Sequence, residues 1–384
     1  MKRSRRVLPA LLLSLSLTLS SAGAAVLHGY REGLAKAEED GLWGFADVSG
    51  AIVVPIQYQS VLDFTLGTAL VQTGNKLGLI RQDGTYLLDP EYDTLENLGY
   101  GLYLAQQGNS WGVVSILAFP GEDGAATQAF FPIQYDTVRI GQMDGLEVLL
   151  LTQDGVETVT PLASLPQLMV ERDVPSARFP LLKGRLPSFS DVEDRDWFSV
   201  WVDIAYNVGL TSGVGGNRYA PEQTLTVAEV LKLAATMESR YKDDSFHTSS
   251  STGPYWYSGA VNYCLASGII QNGTFSQKDY LRPATRREIA QIFAATSQAK
   301  HMKNINDLSR IKVSVPDVKP GDPGADAIYS LYAKGVLTGV DSKLTFNPKG
   351  TVTRAEAAAI VARMARAEQR LTLWRTFNPN VLAA

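Results

Sequence analysis

The sequence has one cysteine, Cys264, in 384 residues. No internal disulfide is open to it, so an exported form must hold itself together by core burial. Cys264 falls in a helical pattern with Val261 and Leu265 and reads as a buried thiol, not a nucleophile. Histidine is nearly as scarce: His28, His247 and His301 are the only candidate bases, and none sits in a catalytic motif. Zinc-ligand spacing, a phosphate loop and a basic stripe are all missing. No catalytic residue, metal ligand or cofactor is therefore expected, and nucleic acid is excluded as a partner. Charged residues make up only 19%, with a formal net charge of −4. An anionic ligand would have to be gripped by local arginines, because bulk charge repels it. A long apolar run is also lacking: Val7 to Leu19 is too short to span a bilayer, which takes about 20 residues.

That short run has another use. Lys2, Arg3, Arg5 and Arg6 precede it, and Ala22-Gly23-Ala24 follows with small residues. This is the order of a secretory signal peptide over residues 1–24, cleaved near Ala24. Export would remove four basic residues and no acidic one, taking the formal charge from −4 to −8. No cysteine near the cleavage site could carry a lipid, so no membrane attachment is expected after cleavage.

What the chain does have is repetition. In the first half Gly33, Gly67 and Gly101 are spaced by 34 residues, as are Trp43-Gly44, Leu77-Gly78 and Trp111-Gly112. The Ser-Gly and Asp-Gly pairs at 49–50 and 83–84 keep the same step and read as hairpin turns between short strands. Pro55-Ile-Gln-Tyr58 returns as Pro132-Ile-Gln-Tyr135, later than the period predicts, so the third unit carries an insertion within 118–129. A partial fourth unit begins near Gly145. No unit has enough apolar surface to fold alone, so neighbours are expected to stack into a shared core. The tryptophans read as core residues of that stack. Gly108-Asn-Ser-Trp-Gly112 matches a nucleophile-elbow pattern, but the repeat already accounts for its glycines. These motifs resemble the WG-repeat family, on Gly33-Leu-Ala35, Trp43-Gly-Phe-Ala-Asp47, Gly50 and Pro55-Ile-Gln-Tyr58. The resemblance implies a β-rich array over residues 25–165 and gives no guidance on its ligand.

A proline-bearing linker is expected over 166–188. Beyond it a second unit occurs three times. A helix closes on Gly209, Gly268 or Gly335, and a second opens with Thr226-Val-Ala-Glu229, Thr285-Arg-Arg-Glu288 or Thr353-Arg-Ala-Glu356. Thr-x-x-Glu is a capping box. It does not explain Arg286 and Arg354, since positive charge is disfavoured at a helix start. Asp191, Asp194 and Asp196 do not have calcium-loop spacing and read as solvated turn carboxylates.

With Phe189-Ser-Asp-Val192, Trp197, Val315-Pro-Asp-Val318 and Phe346-Asn-Pro348, these residues resemble the S-layer homology (SLH) module. The expected organisation is three modules, at 189–245, 246–300 and 301–372, with a tail at 373–384. The whole chain is then α+β multidomain: an N-terminal β-rich array and a C-terminal all-α three-module unit. The resemblance implies a pseudo-threefold helical bundle that binds secondary cell-wall polysaccharide, often pyruvylated, in grooves between modules. It carries a sugar-binding role over to Arg286, Arg354, Trp197, Asp191, Trp256 and Asp317. The first copy has Val227 in place of the arginine, so its groove is expected to be silent. The expected function is a non-enzymatic, secreted, wall-associated surface protein. The alternative is a wall-associated glycan hydrolase with its active site in the β half, for which the sequence places no acid pair.

Overall fold

The computed structural model describes residues 25–174, 177–180, 189–244 and 253–374. The expected signal peptide lies outside the described residues. So do residues 175–176 and 181–188 of the expected linker and all but the first two residues of the expected tail.

The first half is four small antiparallel meanders in chain order. The first holds β1 (Val26–Arg31), β2 (Leu34–Glu39), β3 (Leu42–Ala46) and β4 (Ile52–Tyr58). The second holds β5 (Ser60–Val61), β6 (Thr68–Thr73), β7 (Lys76–Arg81) and β8 (Tyr86–Tyr92). The third holds β9 (Thr94–Gly99), β10 (Leu102–Gln107), β11 (Ser110–Pro120) and β12 (Ala126–Tyr135). The fourth has β13 (Thr137–Met143), β14 (Leu146–Gln153) and β15 (Val156–Pro161). The 34-residue period is set by the first hairpin of each sheet. Its two turn residues, Glu32-Gly33 in the first sheet, both have positive φ (51° and 81°), as a type I′ turn requires. Leu66-Gly67, Tyr100-Gly101 and Asp144-Gly145 repeat this. The insertion in the third unit lengthens β11 and β12 without adding a new element.

The glycine of the Trp-Gly step has a different cause. Where β3 pairs with β4 the register shifts between Trp43 and Phe45, and the partner backbone bulges inward. A Cβ at Gly44 would lie 2.5 Å from the Val54 carbonyl oxygen, and one at Gly112 would lie 2.7 Å from that of Phe131. Consecutive sheets then share cores. Phe45, Val54 and Tyr58 pack on Phe64, Val71 and Ile80. Leu79, Leu88 and Tyr92 pack on Tyr103, Val114 and Ile116. Trp43 is half-buried against the first of these cores, and Trp111 against a further one that holds Leu102, Val113 and Leu149. The fourth sheet is closed by α1 (Leu165–Glu171), which buries Leu165 and Met169 beside Leu149 and Leu151. This helix occupies the start of the stretch expected as linker. Pro166 sits in its first turn, where proline is tolerated because that N–H has no helical partner.

The second half has α2 (Ser199–Asn207), α3 (Val227–Lys242), α4 (Ser258–Ala266), α5 (Arg286–Ala294), α6 (Ser297–His301), α7 (Leu308–Ser314), α8 (Ala325–Ala333) and α9 (Arg354–Ala365). All three Thr-x-x-Glu sequences form full capping boxes. The helices α2, α4 and α8 close at Gly209, Gly268 and Gly335 with the paired bonds of a Schellman motif. In the first, Leu210 N–H reaches Ala205 and Gly209 N–H reaches Tyr206, each at 2.9 Å.

The helices pair between copies, not within them: α3 packs on α4, α5 on α8, and α9 closes the cycle on α2. The short extended segments before α3, α5 and α9 bridge one another in a ring, Thr224 to Thr353, Thr226 to Pro283 and Thr285 to Thr351. Each capped helix start is thereby inserted against the loop of another copy. Val227 N–H meets Arg282 carbonyl, Arg286 N–H meets Gly350, and Arg354 N–H meets Gln223. One large core of helical side chains results, with Val230, Ile289 and Val361 among its members. Leu373 and Trp374, at the start of the expected tail, pack partly onto it.

Candidate functional site

Arg354 is the first residue of α9, fixed by the Thr353 cap. Its side chain crosses to the first copy. There Nε donates to the Tyr219 carbonyl at 2.7 Å, and Nη2 donates to the Ser212 carbonyl at 2.8 Å. The guanidinium lies 4.7 Å from the Tyr219 ring centroid, a cation–π contact. The group is held in place by neutral partners. It lines a cavity of about 660 Å³ between the 209–214 loop, one face of α3, Trp256 and the first turns of α9. Leu225, Leu233, Ala357 and Val361 form its apolar walls.

Arg286 holds the same local position on α5 but a different environment. Its Nε donates to the Phe346 carbonyl at 2.7 Å and the group stacks 5.4 Å from the Phe346 ring. In addition Nη1 pairs with the Glu356 carboxylate at 3.1 Å, and the residue is only 7% exposed. Its charge is already met by a carboxylate of the protein. At Val227, the third equivalent position, there is no cation, and the side chain is buried.

Asp191 and Asp317 do related work in two copies. Asp191 accepts from the Tyr219 and Ala220 N–H groups at 2.7 and 2.9 Å, and Asp317 from Phe346 and Asn347 at 2.8 and 2.7 Å. Each holds the loop whose aromatic residue and carbonyl seat the arginine. Burial pushes the Asp191 carboxyl up, but the two N–H donors outweigh it and leave it below the usual carboxylate range. Trp197 and Trp256 stand at equivalent places just before α2 and α4, 56% and 51% exposed. Of the six residues picked out from sequence, the structure brings Arg354 and Trp256 into one cavity.

Sequence reasoning missed the α3 side of that cavity: Lys232, Thr236 and Arg240, which line it together. They recur every four residues and so share a helix face. The only sequence signal was this polar row at four-residue spacing along the helix. A second hollow, of about 490 Å³, lies at the corresponding junction of α5 and α8, and its lining carries Asp322 and Asp326 but no basic side chain.

The carboxylates of the β half are engaged locally. Asp47 accepts from Ser49 and Ala51 within its turn, Asp63 pairs with Lys36 at 2.9 Å, and Asp93 pairs with Lys76 at 2.7 Å. Ser110 lies on a hairpin strand opposite Gln107. His28 packs on Trp43, their ring centroids 5.0 Å apart. In the Asp191–Asp196 stretch, Asp194 pairs with Arg31 at 3.0 Å and Asp196 accepts from Glu193 N–H.

A family model for the S-layer homology domain matches residues 316–358, and one for the WG containing repeat matches residues 43–76 and 78–111. The chain thus carries both kinds of unit, a β-rich N-terminal part and a helical part with an S-layer homology domain, a cell-surface anchoring module. Curated proteins similar to it include Exoglucanase XynX of Acetivibrio thermocellus, 28% identical over 182 residues, and Amylopullulanase of Thermoanaerobacterium thermosulfurigenes, 24% identical over 178 residues. Each alignment takes in 45% of this chain but only 16% and 9% of the respective relative. Among the described residues no helix is long and apolar enough to cross a membrane.

Proposed function

We propose that this chain, with its S-layer homology domain and WG containing repeats, is a secreted surface protein tethered to the cell wall without catalysis of its own. Its helical half grips an acidic secondary cell-wall polysaccharide in the groove between α3 and α9. The WG array binds a further ligand or acts as a spacer. The observation that carries this reading is Arg354, held by carbonyl groups at the edge of a large cavity with no carboxylate of the protein in its hydrogen bonds. A sugar acid can accept a charge-assisted contact from such a guanidinium. The exposed Trp256 offers a ring face to a pyranose. Arg286 is the weaker candidate, since a ligand acid would have to displace Glu356.

The test is co-sedimentation with purified cell walls. Arg354→Gln is expected to weaken retention about tenfold, the loss of one charge-assisted contact, and Arg286→Gln to weaken it less. Retention unchanged by Arg354→Gln would remove the assigned site. The names of the two relatives favour a second reading, a wall-associated glycan hydrolase. Release of reducing sugar from wall glycan by the purified chain would establish that reading in place of the non-catalytic one. The local pairing of Asp47, Asp63 and Asp93 supports the absence of release.

A further inference from the structure

The geometry assigns Arg240, with Lys232, to a second anionic subsite at the far end of the Arg354 groove, so that the groove takes an extended polyanionic chain and not a single acidic sugar. This rests on the wall-binding reading of the same groove and adds a residue set and a ligand length to it. Thr224 and Thr353 bridge just before α3 and α9, which puts Arg354 beside the N-terminal end of α3. Arg240 is in the last turn of α3. Both line the one cavity, with Lys232 and Thr236 between them on the same helix face. From Glu229 to Arg240 the helix runs roughly 16 Å, longer than one sugar ring.

The state of the cations supports this. Arg240 is half-buried, and burial lowers its pKa. Its guanidinium has no hydrogen-bond or ion-pair partner among the described residues. A half-buried charge without a partner is costly unless a ligand completes it. The acidic side chains on the same helix already have partners, although Glu229 also lines the cavity. Glu229 closes the Thr226 capping box at 2.8 Å. Glu238 pairs with Lys242 at 2.7 Å and accepts from Ser297. With three cations, Lys232, Arg240 and Arg354, against the one carboxylate of Glu229, the lining of the groove is net basic on a chain that is acidic overall. An acidic polysaccharide and a polyol-phosphate polymer share the chemistry this row would recognise.

Calorimetric titration of the full chain tests the assignment, with galacturonic acid, an oligogalacturonate hexamer, glycerol phosphate and a glycerol-phosphate hexamer as probes. One hexamer is expected to bind at least about tenfold more tightly than its own monomer, and which one identifies the acid. Lys232→Gln with Arg240→Gln should abolish that length advantage while lowering monomer affinity less than Arg354→Gln does, whereas Arg354→Gln should weaken monomer and hexamer alike. Neither hexamer outperforming its monomer, or a length advantage that survives the double substitution, would overturn the second subsite. Wild-type chain that does not sediment with walls would sink the wall-binding reading itself, a distinguishable failure. Circular dichroism of the double variant verifies its helix content, since both positions are polar and removal opens no core cavity.

Discussion

At Gly44 the backbone of β4 passes so close that a methyl group has no room. Gly44→Ala would place carbon 2.5 Å from one carbonyl oxygen and 2.7 Å from the next. The bulge would have to open, at a cost of about 1–3 kcal/mol typical of overpacking. Thermal unfolding should show a clear drop for this variant, whereas Gly41→Ala, with no atom near its Cβ, should show only the smaller strain of its positive φ. A second residue-scale feature is a pair of carboxyls between the halves. Burial pushes Glu32 up to about 7, against the pull of the Gly67 and Leu66 N–H groups, and burial pushes Asp203 to about 7 despite Arg31. A carboxyl with a raised folded-state pKa favours the fold while protonated. Its contribution is complete below the ordinary range, near 4.5 for Glu32, and is lost as pH rises through about 7. The melting temperature should therefore fall between pH 5 and pH 8, and Glu32→Gln should flatten that fall. An unaltered slope in the variant would show that Glu32 does not titrate in this window.

Among the elements, the capped helix starts carry both stability and site. Thr353 Oγ1 accepts from Glu356 N–H at 3.3 Å, and Glu356 accepts from Thr353 N–H at 3.0 Å. Loss of the hydroxyl in Thr353→Ala should cost about 1 kcal/mol. It should also weaken wall retention more than Thr285→Ala does, because Thr353 aims Arg354 and Thr285 aims the already paired Arg286. Equal effects of the two on retention would count against a single dominant groove. The three helix starts were legible in the sequence because capping chemistry is local. The partners of their arginines were not, because Tyr219, Ser212 and Glu356 lie far away in the chain or on a different element.

For the whole molecule, the repeat glycines turn out to mark a seam. The first-hairpin turns of three sheets meet the helical half. Gly33 N–H donates to the Asp194 carbonyl at 2.6 Å, and Gln369 Nε2 donates to the Leu66 carbonyl at 3.1 Å beside Gly67. Arg366 approaches Gly101 to 3.7 Å of where its Cβ would be. Arg81 Nε reaches the Glu368 carbonyl at 2.6 Å, and Arg366 pairs with Glu368 in a buried contact. The array is thus docked on the bundle by polar contacts, which resemble transient interfaces more than a shared core. Arg31→Ala together with Gln369→Ala should speed hydrogen exchange at Gly33 while the ladder between β2 and β3 keeps its protection. Exchange at Gly33 that stays as slow as the ladder would mean other contacts hold the seam.

The sequence by itself determined the two kinds of repeat, the type of the elements that repeat, and the three capping boxes, because turn chemistry, period and helix capping all act within a few residues; the helices α1, α6 and α7 were not legible in it. It also supplied the arginines that stand at two of the helix starts. Only the tertiary structure decided which helices pair, that Arg286 spends its charge on Glu356 while Arg354 lines an open cavity, and that Lys232 and Arg240 join it there. Those outcomes depend on which distant backbone or carboxylate comes within hydrogen-bond reach once the ring of three copies has closed.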